Sequence, residues 1–132
     1  MRSLGVLDDE RGSSPVEFVL VGTLLTALTL AVLQVAFVVY VRNVVHDAAV
    51  EGAHFAALAD TSLSEGADRT RQVISRAIGA DYAEDISIGE DSALGHDSIV
   101  VEVRTTLPVL GLIGIPYAME VEARAPVESF GD

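Results

Sequence analysis

Side chains with the chemistry of a reactive centre are sparse and scattered in this sequence. His46 and His54 stand eight residues apart, roughly on one face of a helix, with Asp47 and Glu51 beside them. A metal ion would ask for a tighter ligand set, and there is no cysteine to supply thiolate. A polar helix surface accounts for the same residues. His96 belongs to Gly95-His96-Asp97, a turn sequence. Serine, histidine and aspartate all occur, yet none sits in a nucleophile elbow, and no phosphate-cradling or dinucleotide-binding glycine pattern is present. The expectation is a protein that is not an enzyme and needs no cofactor or metal. The more telling acid is Glu17, the last charge before 24 uncharged residues, Phe18 to Val41. A carboxylate at the edge of an apolar medium is costly unless it is paired.

The elements around Glu17 explain why it is there. At helical rise, 24 residues reach roughly 36 Å, enough to cross a hydrocarbon core of ~30 Å with some tilt. The alternative, the buried core helix of a soluble protein, suffers from the small apolar mass left in a chain of 132 residues. The run is also longer than the ~7–15 apolar residues of a cleaved secretory signal. The formal net charge is −12, and most of it lies after the span: from Arg42 onward 16 acidic side chains face 6 basic ones, a net of −10. Such a surface excludes nucleic-acid binding through phosphate contacts. Arg2 and Arg11 before the span, against Arg42 just after it, favour an N-terminus on the cytoplasmic side.

Just ahead of the span runs Arg11-Gly12-Ser13-Ser14-Pro15-Val16-Glu17-Phe18. As helix chemistry, Ser14 is an N-cap, Pro15 the first helical residue and Glu17 the third member of a capping box. As a processing signal, Gly12 is a peptidase cleavage point, with Ser13 the first and Glu17 the fifth residue of the mature chain. On Gly12, Glu17 and Phe18, followed by a long apolar helix, the sequence resembles the TadE-like family of tight-adherence (Flp type IV) pilus systems. That resemblance implies a prepilin or pseudopilin cut by a prepilin peptidase, with other pilins and pilus assembly proteins as partners and the bilayer as its medium. The freed amine of Ser13 would then be available to pair with Glu17 on the same or a neighbouring chain. Many family members carry proline six residues after the glutamate, where this chain has Thr23. The other function compatible with the residues is an uncleaved single-pass protein whose acidic domain binds an envelope partner.

Within the span, Gly22, Thr26 and Thr29 share a stripe about 60° wide and suit close helix packing in lipid; Gln34 is a further polar candidate. Beyond Arg42, Val45, Ala48, Ala49, Gly52, Ala56 and Ala59 recur at helical spacing as a smooth face. Ser62 and Glu65 form a second capping box, ahead of a stripe of Ala67, Val73, Ile74, Ala77 and Ile78. The period then changes to two. Ile86 and Ile88 mark a short strand. Ile99 to Leu107 and Tyr117 to Ala125 mark two more, each with one apolar and one charged face; Pro126 closes the last one or sets it at an edge. The apolar face needs a cover, either the helix at 64–78 or the small-residue face at 45–59. The resulting organisation is a cytoplasmic leader at 1–12, a long helix at 13–60 with a transmembrane span at 18–41, and an extracytoplasmic α+β domain at 61–132. The fold class is an α+β membrane protein, its long N-terminal helix extending outward to pack on a small three-stranded antiparallel sheet. The pilin-like arrangement is what the resemblance implies. The segment from Leu107 to Pro116 is apolar but broken by prolines and glycines. It is expected either to contact a partner or membrane surface through Leu110, Leu112, Ile113 and Ile115, or to tuck under the sheet.

Overall fold

A computed structural model describes residues 10–109 and 113–128. The chain forms a helix α1 (Glu10–Ala57), a helix α2 (Leu63–Ala77), a single 3-10 turn (Ala80–Tyr82) and strands β1 (Asp85–Asp91), β2 (Ser98–Val109) and β3 (Ile113–Pro126). It divides into two compact units, one up to Val35 and one from Ala36 onward. In its described residues the first is the N-terminal part of α1, up to Val35. The second is an α+β unit, with the rest of α1 and α2 laid on one face of an antiparallel sheet of order β1-β2-β3.

The alternation in β2 sorts its side chains as expected: Ile99, Val101, Val103 and Thr105 are buried, and Leu107 is half-buried. From β3, Met119, Val121, Ala123 and Ala125 complete the inner face. Both helices cover it. α1 contributes Val41, Val45, Ala48, Ala49, Ala53, Ala56 and Ala57, and α2 contributes Ile74. Ala59 lies outside this face. The helix ends at Ala57, and Thr61 caps the turn after it by donating its hydroxyl to the carbonyls of Phe55 and Leu58.

The capping box of α2 forms. Ser62 Oγ accepts from Glu65 N–H at 3.3 Å, and Ser62 N–H donates to Glu65 Oε2 at 2.7 Å. Its buried row is Gly66, Thr70 and Ile74, four residues apart, so Ala77 turns outward. At the helix crossing, Gly52 of α1 meets this row. A Cβ on Gly52 would overlap Thr70 Oγ1 and come within 2.8 Å of the Gly66 carbonyl; a Cβ on Gly66 would lie 2.8 Å from the Gly52 carbonyl. Two backbones pass here at a distance that only glycine on both sides permits.

Two expectations are corrected. Ser14 is not an N-cap, because α1 already begins at Glu10 and holds Pro15 in its interior. Pro15 has no N–H for the carbonyl of residue 11, and the helix absorbs that single missing bond close to its end. Tyr117 does not join the inner face of β3. Residues 116–118 together oppose Thr106 alone, between the pairs Thr105↔Met119 and Leu107↔Ile115. In this bulge Tyr117 takes φ +57° and is 60% exposed. Pro116 lacks the N–H for regular pairing, and the bulge absorbs the irregularity. The supposed loop at 107–116 is in large part hairpin: Leu107, Pro108 and Val109 pair with Ile115, Gly114 and Ile113.

Candidate functional site

The residues proposed for processing lie on the first turns of α1. Ser13 and Glu17 are four apart and therefore share one face, with Glu17 one turn further along. Gly12, Ser13, Glu17 and Phe18 are exposed, Phe18 at 80%, and a Cβ on Gly12 would meet nothing within 4 Å. The peptide bond from Gly12 to Ser13 is helical.

Beyond Phe18 the helix presents large apolar side chains over most of its surface; Leu20, Leu24, Leu28 and Val32 are each more than half exposed. A water-soluble surface does not carry apolar area on this scale. α1 is long and apolar enough to cross a membrane, with only 6% of its apolar window buried. The hydroxyls in this stretch are satisfied by the helix itself: Thr23, Thr26 and Thr29 each donate to the carbonyl four residues back, at 2.8 Å. This removes the cost of an unpaired hydroxyl in lipid. It also leaves the stripe of Gly22, Thr26 and Thr29 as a low-relief surface of methyl groups and backbone. At Thr23 the helix is uninterrupted.

His54 Nδ1 lies 2.8 Å from the Val50 carbonyl on the exposed side of α1, and His46 is exposed. No group of three or more potential metal ligands occurs among the described residues. The outer face of the sheet is an ion-pair lattice that the sequence reading missed. Arg104 contacts Glu102 at 2.9 Å and Glu120 at 3.3 Å, and Arg124 contacts Glu122 at 2.7 Å and also Asp91. The guanidinium of Arg124, then the Ala93 N–H, holds the Asp91 carboxyl below its usual range. Arg104 is raised above its ordinary value by Glu102 first and Glu120 second. A signal was present in the acidic-basic alternation at Glu102/Arg104 and Glu122/Arg124. The strand register that joins them was not. Arg69 likewise bridges the helices, its Nε donating to Glu51 Oε1 at 2.7 Å.

Of the candidate contact residues in the β2–β3 hairpin, Ile115 is 51% exposed. Leu110 and Leu112 lie outside the described residues, and Ile113 is described only as a paired strand residue.

The region with the unusual surface is therefore α1, from its first exposed glycine to its small-residue end. Residues 12–54 match the TadE-like protein family. The match begins at Gly12 and ends at His54 in the second half of α1; it leaves α2 and the sheet outside it. It suggests involvement in tight-adherence pilus systems. No match was found among curated proteins or among solved structures.

Proposed function

We propose that this chain is a minor pilin or pseudopilin of a tight-adherence pilus or secretion system. A prepilin peptidase cuts it after Gly12, and it acts through assembly rather than catalysis. The observation that carries the reading is the family match starting at Gly12, immediately before Ser13 and the Glu17-Phe18 pair. Local chemistry supports it. The scissile bond must leave the helix to be cut, and the missing Pro15 donor means that unwinding the turn before it breaks one hydrogen bond fewer. After cleavage, the new Ser13 amine lies on the Glu17 face of the helix and offers the carboxylate a partner, on its own chain or on a neighbour, which would set axial register as helices stack. The chain sits in the cytoplasmic membrane as a single pass. Its N-terminus is inside, and its acidic unit is outside, among pilus assembly proteins.

A second reading, an uncleaved anchor whose acidic unit binds an envelope partner, is favoured by the helical state of the Gly12–Ser13 bond. Intact mass of the protein from membranes, with and without the peptidase, separates the two. Loss of residues 1–12 only where the peptidase is present supports the pilin; a full-length chain in both samples refutes it. Glu17→Ala is expected to insert normally yet to impair pilus biogenesis, and normal piliation in that variant would count against the role given to the carboxylate.

A further inference from the structure

The first turns of α1 contain residues for two different helix starts. The structure begins the helix at Glu10 and carries it through Gly12-Ser13-Ser14-Pro15. These are poor helix formers. Glycine loses the most backbone freedom, serine competes for backbone hydrogen bonds, and proline lacks a donor and crowds the carbonyl four residues back. Three residues after Ser14 stands Glu17, and both side chains are exposed. In this state neither the Ser14 hydroxyl nor the Glu17 carboxylate has a hydrogen-bond partner among the described residues. Thr23, Thr26 and Thr29, by contrast, return their hydroxyls to the helix backbone.

The same chain shows what a serine and a glutamate at this spacing do when a helix starts at the serine. At the head of α2, Ser62 Oγ accepts from Glu65 N–H at 3.3 Å and Ser62 N–H donates to Glu65 Oε2 at 2.7 Å. A helix start leaves four amides without an intrahelical acceptor. With the start of α1 at Ser14, the Ser14 N–H goes to the Glu17 carboxylate, the Glu17 N–H goes to Ser14 Oγ, and Pro15 has no N–H to satisfy. Val16 alone turns to water. Moving the start from Glu10 to Ser14 gives up the bonds from the amides of Ser14, Val16 and Glu17 to the carbonyls of Glu10, Gly12 and Ser13. Pro15 gives up nothing. Three backbone bonds are thus exchanged for the two of the capping box, and a turn of poor helix formers is released.

We propose that α1 alternates between these two starts and that the peptidase cuts the chain in the second, which makes Ser14 and Pro15 positioning residues for the bond after Gly12. The proposal rests on the reading that cleavage occurs there. In the second state Gly12 and Ser13 lie outside the helix, and the peptide bond between them is free to extend. When such an opening is fast relative to cleavage, the rate follows the population of the opened form. The cut also has a direction. Residues 10–12 are absent from the product, so the start at Ser14 is the one that remains. One oxygen of Glu17 then holds the Ser14 N–H, and the other stays open to an amine at Ser13 of the same or a neighbouring chain.

The test uses the full-length chain in lipid bicelles, unaltered and as Ser14→Ala, Ser14→Asp and Pro15→Ala. Cleavage by added peptidase is timed by intact mass. Hydrogen exchange at the Val16 amide is followed by NMR without peptidase, with the Val19 amide as the reference inside the helix. Ser14→Ala removes the cap and should slow cleavage and Val16 exchange together by about fivefold, while Ser14→Asp, which caps as well as serine, should restore both. Pro15→Ala strengthens the longer helix and should slow both by at least about tenfold. Unaltered cleavage in Ser14→Ala and Pro15→Ala would overturn the proposal and leave the processing reading standing. Slower cleavage with unchanged Val16 exchange would mean that the peptidase reads these side chains directly, and would overturn it as well. So would a Ser14→Asp chain cut as slowly as Ser14→Ala. No cleavage of the unaltered chain would overturn the processing reading and the proposal together.

Discussion

One helix carries two surfaces. From Val16 to Tyr40, the large side chains of α1 are mostly Val, Leu and Phe, and nearly all of them stand exposed; from Val41 to Ala57, its buried face is Val41 and Val45 followed by Ala and Gly. Both surfaces are apolar, although the second has charged residues behind it, among them Arg42, Asp47 and Glu51. They differ in the size of their side chains. Large side chains over most of the helix surface suit a fluid medium that conforms to any relief, whereas a smooth stripe suits a second layer of fixed shape that must come close. The crossing of Gly52 and Gly66 is the extreme of the second kind, and the bare rows of Leu20, Leu24 and Leu28 are the first.

The comparison breaks most readily at the crossing. Gly52→Val forces a branched side chain against Thr70 and the Gly66 carbonyl. Its cost should reach or exceed the upper end of the ~1–3 kcal/mol typical of overpacking. Thermal unfolding of the reconstituted protein should show the α+β unit lost while membrane extraction remains unchanged; a folded unit would mean that the two helices are less closely held than described. Next in size is a matched pair of truncations. Ile74→Ala, in the sealed core, should cost about 2–5 kcal/mol, whereas Leu28→Ala should alter unfolding by no more than ~0.5 kcal/mol. Equal effects would erase the distinction between the two surfaces.

Smaller effects test the start of α2. Ser62→Ala removes the side-chain acceptor for Glu65 N–H and should cost about 1 kcal/mol in chemical denaturation. The Glu65 carboxyl is held below its ordinary value, first by the Ser62 backbone N–H and then by the Ser62 hydroxyl. Its contribution is therefore fully present above the ordinary carboxylate pKa of ~4 and lost as pH falls through the lowered folded value. Asp91 acts in the same direction. Melting temperature should decline as pH falls below ~4, and Glu65→Gln should flatten part of that decline.

Much of this was legible in the sequence, for identifiable reasons. Period-two alternation in β2 and β3 was readable because one sheet face is covered and the other wet, and the Ser62–Glu65 box because capping is local. The apolar run of α1 was readable by length alone. Tyr117 was misplaced because alternation assumes an unbroken register, and a bulge beside Pro116 interrupts it without changing the parity of Ile115 and Met119. Ser14 was misplaced because a serine three residues before a glutamate looks the same whether or not another helical turn precedes it. The row of Gly66, Thr70 and Ile74 escaped notice because its first two members are not hydrophobic, and close backbone approach leaves no apolar signature.

The bond from Glu128 N–H to the Ala57 carbonyl also has a consequence in time. The second half of α1 packs against strands that are synthesised well after it, since Val41 to Ala57 must wait for Ile99 to Ala125. At about 5–20 residues per second, that face of α1 stays without its cover for several seconds. A face of alanine and glycine is suited to the delay, because it offers neighbouring nascent chains little apolar area to adhere to. The small side chains that allow a tight final fit also keep the unfinished chain from sticking.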